Sequence, residues 1–211
     1  RGSDMGIDAI EIAAINQNND FFHRHAFVDV KTHNESIYHK NTNNFAKRIE
    51  HVKEQCQRVS DVVKETILSG AFPIVLSGDH SSALGTISGI KAANPDKTIG
   101  VIWIDAHADL HSPYTSPSGN IHGMPLAAAM NLDNIEAKIN EPGEITAQQW
   151  DELKSIGISG PKIIPAHLVY FGLRDFETAE KKIIDQSEIL FFEVEETRAK
   201  GLEFCIQKAI Q

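Results

Sequence analysis

Residues 100–113 read GVIWIDAHADLHSP, an apolar run that changes abruptly into acids and histidines. The run at 100–104 is apolar on both faces, which is typical of a buried strand in a parallel sheet. Asp105, His107 and Asp109 follow at alternate positions, and alternate side chains of an extended segment point the same way. Two converging carboxylates repel each other and lose hydration unless a cation neutralises them. The stretch therefore predicts a buried strand that ends in a metal site.

Further apolar runs alternate with segments that have helical periodicity. Strands are predicted for AFPIVLSG (71–78), TIGVIWID (98–105), AHLVYFGLRD (166–175) and SEILFFEV (187–194). Helices are predicted at 44–69, 80–93, 125–130, 146–157, 176–185 and, as one last helix, around 202–209. Because strands buried on both faces need helices above and below them, the pattern predicts an α/β fold with three αβα layers and a mostly parallel sheet.

Local signals mark the ends of two of these helices. Apolar residues recur every three or four positions through 44–69, and Gly70 suits the end of that helix. Thr146 and Gln149 have the spacing of a capping box, which predicts a helix that begins at Thr146 and ends at Gly157.

Composition narrows the class of protein. The 211 residues carry a formal net charge of −9, which argues against nucleic-acid binding, since nucleic-acid-binding proteins normally present a basic face. No apolar run approaches membrane-spanning length, so no membrane partner is expected. The two cysteines, Cys56 and Cys205, lie in predicted helices and form no disulfide framework. We therefore expect a cytoplasmic protein.

The predicted site lies where two neighbouring strands end. Ligands of open α/β sheets bind beyond the carboxyl ends of the strands, where the sequence places SGDH (77–80) and DAHAD (105–109). His80 could therefore add an imidazole to the carboxylates of Asp105 and Asp109. Such a mixture suits Mn, Fe, Co or Zn, and many oxygen ligands favour Mn. Two carboxylates could also bridge a pair of ions. The alternative is a set of solvated loop residues or a structural salt-bridge cluster.

Three motifs together resemble the arginase branch of the ureohydrolase family, which comprises arginases, agmatinases and formiminoglutamases. They are SGDHSSALG (77–85), DAHADLHSP (105–113) and SGNIHGMP (118–125). The first two are typical of the whole family, whereas SPSGNIHG favours arginases. The resemblance runs from RGSDMG near the start to FGLRD and EILFF. It implies one ureohydrolase-like α/β domain over residues 1–211, with an arginase/deacetylase-like arrangement of layers.

The resemblance also implies a reaction, the manganese-dependent hydrolysis of L-arginine to L-ornithine and urea by a metal-bridging hydroxide. It assigns His80 and Asp105 to one Mn²⁺ ion and His107 to the other, and Co²⁺ or Fe²⁺ could substitute. Asp105 or Asp109 would supply bridging oxygens, which makes Asp109 both a ligand and a catalytic residue. His122 matches the proton-shuttling histidine of the family, a role that suits an imidazole because it titrates near neutral pH.

Further residues match positions that bind the amino-acid end of the substrate. Ser118 and Asn120 match donors to the α-carboxylate. Glu177 stands where the family usually has an Asp that contacts the α-amino group, and Glu180 matches a nearby Glu. His111 replaces an Asn at a substrate-carboxylate position. Four other histidines lie in polar loop sequence and are predicted at the surface: His23, His25, His33 and His39.

The second metal motif of the family, an Asp-x-Asp on a later strand, has no counterpart after EILFF in these 211 residues. EVEE (193–196) is no substitute, because it leads into the last predicted helix. His80, Asp105, His107 and Asp109 amount to about half the protein ligands of a two-metal centre. The resemblance thus describes a domain that is incomplete at its C-terminal part, and we expect this form to bind metal weakly and to turn over poorly.

Two alternatives remain open for the function. One is another ureohydrolase that acts on agmatine, a guanidino acid or formiminoglutamate. The other is a non-catalytic metal-binding or assembly subunit. Members of the family commonly form trimers or hexamers, so the resemblance also implies a homo-oligomer.

Overall fold

A computed structural model describes residues 3, 5–32 and 34–210, and for Glu35 and Ile37 it describes the backbone alone. His33, one of the predicted surface histidines, lies outside the described residues, as do positions 1, 2 and 4 of the RGSDMG segment. The other three predicted surface histidines, His23, His25 and His39, are exposed.

Three parallel strands form the sheet in the order β1-β2-β3. They are β1 (Val101–Ile104), β2 (Leu168–Phe171) and β3 (Leu190–Phe192). Trp103 pairs with Tyr170, and Tyr170 pairs in turn with Phe191. The middle strand β2 is buried along its whole length, as expected for a parallel strand covered on both faces. The parallel sheet predicted from the sequence is confirmed for these three strands.

Helices precede, connect and follow the strands. Their bounds are α1 (Gly6–Asn16), α2 (Phe21–Arg24), α3 (Ile49–Leu68), α4 (Ser82–Ala93), α5 (Pro125–Ala129), α6 (Glu144–Lys154), α7 (Thr178–Gln186), α8 (Val194–Lys200) and α9 (Leu202–Ala209). Short 3₁₀ turns lie at Asn34–Tyr38, Ile121–Gly123, Ile135–Ala137 and Pro165–His167. Within the part of the chain that the structure describes, no helix is both long and apolar enough to cross a bilayer.

Apolar side chains pack on both faces of the sheet, but β1 is not the fully buried strand that the sequence predicts, because one of its faces leaves Ile102 and Ile104 55% and 82% exposed. On one face, Trp103 and Tyr170 join a core that includes Cys56 of α3 and Leu84 of α4. On the other face, a smaller cluster contains Val169, Phe171 and Phe192 together with Cys205 of α9. Successive residues of β2 thus point into different cores, as the pleat requires. The predicted arrangement of helices on both sides of the sheet is confirmed.

Helices α3 and α4 pack with their backbones unusually close. A Cβ atom added at Gly85 would lie 2.6 Å from the carbonyl oxygen of Cys56, and one at Gly89 would lie 2.5 Å from that of Ser60. Glycine is therefore required at both positions for this approach. The tight pairing fixes α4, and with it the loop that immediately precedes α4.

The prediction of a buried strand at 71–78 is wrong for this structure. No strand in the described ranges pairs with this segment, and Phe72 and Ile74 are 87% and 66% exposed. An apolar run becomes a strand only where a neighbouring strand offers hydrogen bonds, and hydrophobicity alone does not reveal that neighbour. The segment nevertheless leads into α4 and places SGDH beside the end of β1.

Three predicted helix boundaries are also corrected. The helix predicted at 44–69 begins at Ile49, because Asn43 Oδ1 accepts hydrogen bonds from the backbone of residues 45 and 46 and because Arg48 has a left-handed backbone. Helix α6 begins at Glu144 without a capping box, since the hydroxyl of Thr146 accepts a hydrogen bond from Asn43 Nδ2. The predicted last helix is two helices.

The break between the last two helices lies at Gly201, whose φ of 85° is accessible to glycine.

A capping box that was not predicted from the sequence begins α7, where the backbone N–H of Glu177 donates to Glu180 Oε2 at 2.9 Å. This capping box matters for the site, because it fixes two carboxylates that lie next to the predicted substrate residues.

Candidate metal centre

Three of the four predicted metal ligands converge in the structure. His80 Nδ1 lies 3.0 Å from Asp109 Oδ2 and 3.3 Å from Asp105 Oδ2. Ligand atoms of these three residues all lie within 4.8 Å of one another, so the group could hold a metal ion. The donor set fits this purpose, because one imidazole and two carboxylates suit Mn, Fe, Co or Zn.

The route by which the chain brings these ligands together differs from the prediction. Asp109 has a φ of 53°, so residues 105–109 do not form one extended segment with three side chains on one face. Instead Asp105 is half-buried, His107 is exposed and Asp109 is buried. The left-handed turn at Asp109 directs its carboxylate back toward His80. An αL residue other than glycine is uncommon, and Asp is among the residues that tolerate it.

Trp103 supports two of the ligands at once. Its indole stacks on the His80 ring with centroids 4.7 Å apart, and its Nε1–H donates to Asp109 Oδ2 at 3.3 Å. Tyr170, the neighbour of Trp103 in β2, donates from its hydroxyl to the carbonyl of Ala108 at 2.6 Å. The sheet thereby fixes the turn that carries Asp109. Neither support was identified from the sequence, where both residues were counted only as apolar strand residues.

His107 lies next to this group but outside it. Its Nδ1 is 3.4 Å from Asp105 Oδ1, and its backbone N–H donates to the same oxygen at 3.0 Å. Its Nε2 faces Asp175 Oδ2 at 3.8 Å, and the two residues form an isolated parallel bridge. The metal role of His107 stays a prediction. Asp175 was missed, although it follows β2 at the same edge of the sheet, a position that could have drawn attention to it.

The two carboxylates alter the chemistry of the imidazole. The hydrogen bond to Asp109 raises the pKa of His80 above its ordinary value, with the charges of Asp109 and Asp105 adding to the effect and burial opposing it. Two anionic side chains thus create a strongly negative position that attracts either a proton or a metal cation. This electrostatic environment is the one expected for a cation-binding site.

A second cluster lies just beyond the metal loop and centres on His111. The ring is buried, with Nδ1 3.2 Å from Thr115 Oγ1 and Nε2 3.5 Å from Glu180 Oε2 and 3.6 Å from Glu177 Oε2. Burial raises the pKa of Glu180, while His111 and two backbone N–H groups oppose that rise. The backbone N–H of Leu110 donates to Glu180 Oε1 at 3.0 Å, which attaches this cluster to the metal loop.

The loop that carries the other predicted substrate residues is held by its own hydrogen bonds. The backbone N–H of Asn120 donates to Ser118 Oγ at 3.2 Å, and Gly119 N–H donates to Ser116 Oγ at 2.9 Å. His122 is exposed in the 3₁₀ turn that follows. The backbone N–H of His111 donates to the carbonyl of Gly123 at 3.0 Å, so this turn lies beside the His111 cluster. The binding roles of Ser118, Asn120 and His122 stay predictions.

Known proteins are similar to this chain in sequence and in fold. Residues 1–211 match the Arginase family. Over the whole chain, the sequence is 32% identical to an arginase of Bacillus caldovelox and 34% identical to one of Bacillus subtilis. The solved structure of the Bacillus caldovelox arginase matches 98% of this chain with a TM-score of 0.75. A formimidoylglutamase structure from Bacillus subtilis, 19% identical with a TM-score of 0.56 over 86% of this chain and 43% of its own, shares the fold alone.

The match covers only part of the relatives. This chain spans 65% of the Bacillus caldovelox sequence and 64% of the Bacillus subtilis sequence, and it covers 64% of the solved Bacillus caldovelox chain. The convergence of His80, Asp105 and Asp109 and the family match over every residue lead to one conclusion: the chain belongs to the arginase family.

Proposed function

We propose that this chain carries metal-binding and substrate-binding parts of an enzyme that hydrolyses L-arginine to L-ornithine and urea with Mn²⁺. The single observation that carries the proposal is the convergence of one imidazole and two carboxylates at the end of β1. Relatives that bear the name arginase, at 32% and 34% identity, support the choice of arginine over other guanidino compounds. Mn²⁺ is favoured because most of the donor atoms are oxygens.

The residues of this chain would hold the metal in the following way. His80, Asp105 and Asp109 would bind one Mn²⁺ ion directly. His107 would direct its ring toward the second Mn²⁺ ion. Mn²⁺ held there would supply hydroxide near neutral pH and would stabilise the charge that develops during attack on the guanidinium carbon. Trp103 keeps the ligands in place through its contacts with His80 and Asp109.

Other residues would bind the substrate and move protons. In the overall reaction water adds to the guanidinium carbon, the bond from that carbon to the side-chain nitrogen breaks, and the leaving amine takes up a proton. His122 is exposed, and its imidazole would deliver that proton to the leaving amine. Ser118 and Asn120 would donate to the α-carboxylate, and Glu177 would accept from the α-ammonium group.

A direct experiment compares product release from related substrates. Purified protein is loaded with Mn²⁺ and incubated with L-arginine, agmatine or formiminoglutamate, and urea or formamide is measured. We expect slow urea release from L-arginine, because this chain supplies about half the ligands of a two-metal centre. Urea from agmatine alone would contradict the substrate assignment, and formamide from formiminoglutamate would identify a different ureohydrolase.

A metal-binding or assembly subunit without catalysis is the second candidate, and the exposed position of His107 favours it, since a second ion would have fewer ligands. In that case Mn²⁺ binding would persist and depend on His80 while no substrate is hydrolysed.

We also propose that the protein is a cytoplasmic homo-oligomer, either a trimer or a hexamer. Light scattering of the purified protein tests its oligomeric state. Co²⁺ or Fe²⁺ could replace Mn²⁺ at the metal site.

A further inference from the structure

His111 is a buried side chain whose two ring nitrogens are both engaged. On one side, Thr115 Oγ1 lies 3.2 Å from Nδ1 and accepts a hydrogen bond from the backbone N–H of Ser112 at 3.0 Å. That acceptance leaves the hydroxyl hydrogen of Thr115 free to point at Nδ1. The tautomer of His111 that fits carries its hydrogen on Nε2, which faces Glu177 and Glu180.

The two glutamates that share Nε2 differ in what they can still bind. Glu180 is buried, and its oxygens already accept from the backbone N–H groups of Leu110 and Glu177. The side chain of Glu177 accepts from the backbone N–H of Glu180 in the capping box, but it is 56% exposed, so its carboxylate can also meet a ligand that arrives from solvent. Glu177 is therefore the member of the cluster suited to recognise a cation. His111 is the buried group that contacts Glu177 on the side away from solvent.

From this geometry we propose that His111 is a positioning residue, which together with the capping box of α7 holds the Glu177 carboxylate so that it can bind the α-ammonium group of an amino-acid ligand. The inference rests on the proposed function for the identity of that ligand.

The pair can first be tested without any ligand. The variants His111→Asn and Glu177→Asp, and the double variant, are compared by thermal unfolding, with His23→Asn and Glu195→Asp as matched controls at exposed positions. We expect the loss in Tm of the double variant to be smaller than the sum of the two single losses, because either single change already breaks the contact. Strict additivity would show that the side chains are not coupled and would overturn the proposal.

Recognition is then tested by equilibrium binding, which requires no turnover. L-ornithine and 5-aminopentanoate differ only in the α-amino group, and calorimetry gives the affinity of the Mn²⁺-loaded protein for each. We expect His111→Asn to weaken L-ornithine about tenfold, the order for one hydrogen bond to a charged group, and to leave 5-aminopentanoate unchanged. An equal effect on both ligands, or wild-type affinities that do not distinguish them, would overturn the proposal. If no substrate is hydrolysed while this selectivity is present, the proposed reaction fails and the role of His111 stands.

Discussion

The indole of Trp103 stacks on the imidazole of His80 with an angle of 20° between the ring planes, and the same indole donates a hydrogen bond to Asp109. One buried side chain of β1 therefore contacts two metal-ligand candidates that come from different segments of the chain. The contact links the sheet to the metal-ligand candidates, since Trp103 is itself fixed by pairing with Tyr170. Preorganisation of this kind lowers the cost of ordering ligands when a cation binds.

Replacing Trp103 tests that support. Trp103→Phe keeps a ring against His80 but removes the Nε1–H that holds Asp109, so we expect Mn²⁺ affinity to fall about tenfold, as for loss of an outer-shell partner. Trp103→Leu removes both contacts and should weaken binding further. Trp150→Phe is the control, because Trp150 is fully buried and donates to Asp133 instead. Equal losses of Mn²⁺ affinity in the Trp103 and Trp150 variants would show a general effect on folding.

Lys162 gives the stability of the protein a defined pH dependence. Its ammonium group is buried and donates to the carbonyl oxygens of Ile158 at 3.0 Å and Gly160 at 3.2 Å. Burial, assisted by the charge of Lys154, lowers the pKa of Lys162 to about 8. Since the unfolded chain titrates at the ordinary lysine value, it binds more protons than the folded protein between about pH 8 and that value.

The free energy of unfolding contributed by Lys162 should therefore rise with pH through this window. Urea denaturation at a series of pH values measures it, and Lys162→Met should flatten the rise because the titrating group is gone. Lys64→Met, at an exposed position of α3, should leave the rise intact. The same slope in wild type and Lys162→Met would contradict the assignment.

The close contact between α3 and α4 predicts a large effect of small substitutions. Gly89→Ala places a methyl group 2.5 Å from the carbonyl oxygen of Ser60, and Gly85→Ala does the same at 2.6 Å from that of Cys56. Overpacking of this kind costs about 1–3 kcal/mol of unfolding free energy. Gly6→Ala, where no atom lies within 4 Å of the added methyl group, should leave stability nearly unchanged. Denaturant unfolding of the three variants checks the order.

Much of the sheet and of the metal site follows from local patterns of the sequence. The apolar runs at β1, β2 and β3 are strands, as their composition predicts, and Asp105 and Asp109 follow the end of β1, at the edge of the sheet where the sequence placed a site. These two predictions depend only on the hydrophobic pattern and on the position of polar residues along the chain. They therefore require no knowledge of which strands pair.

The features that the sequence analysis missed depend on tertiary neighbours. Residues 71–78 have the composition of a strand but no partner within the described chain, and β1 leaves Ile104 82% exposed. The left-handed backbone of Asp109 contradicts the simple alternation by which its direction was inferred. The contact between His111 and Glu177 joins residues far apart in sequence, and no periodicity reports such a pair.

The most direct test of the metal centre is a titration of the purified protein with Mn²⁺, followed by the electron paramagnetic resonance signal of the free ion. Wild type is compared with His80→Ala, Asp109→Asn and His23→Ala, of which the last alters an exposed histidine on α2. We expect wild type and His23→Ala to bind Mn²⁺ weakly but measurably, and the two ligand variants to lose that binding. Equal Mn²⁺ binding by all four proteins would contradict the assignment of His80, Asp105 and Asp109 as the metal centre.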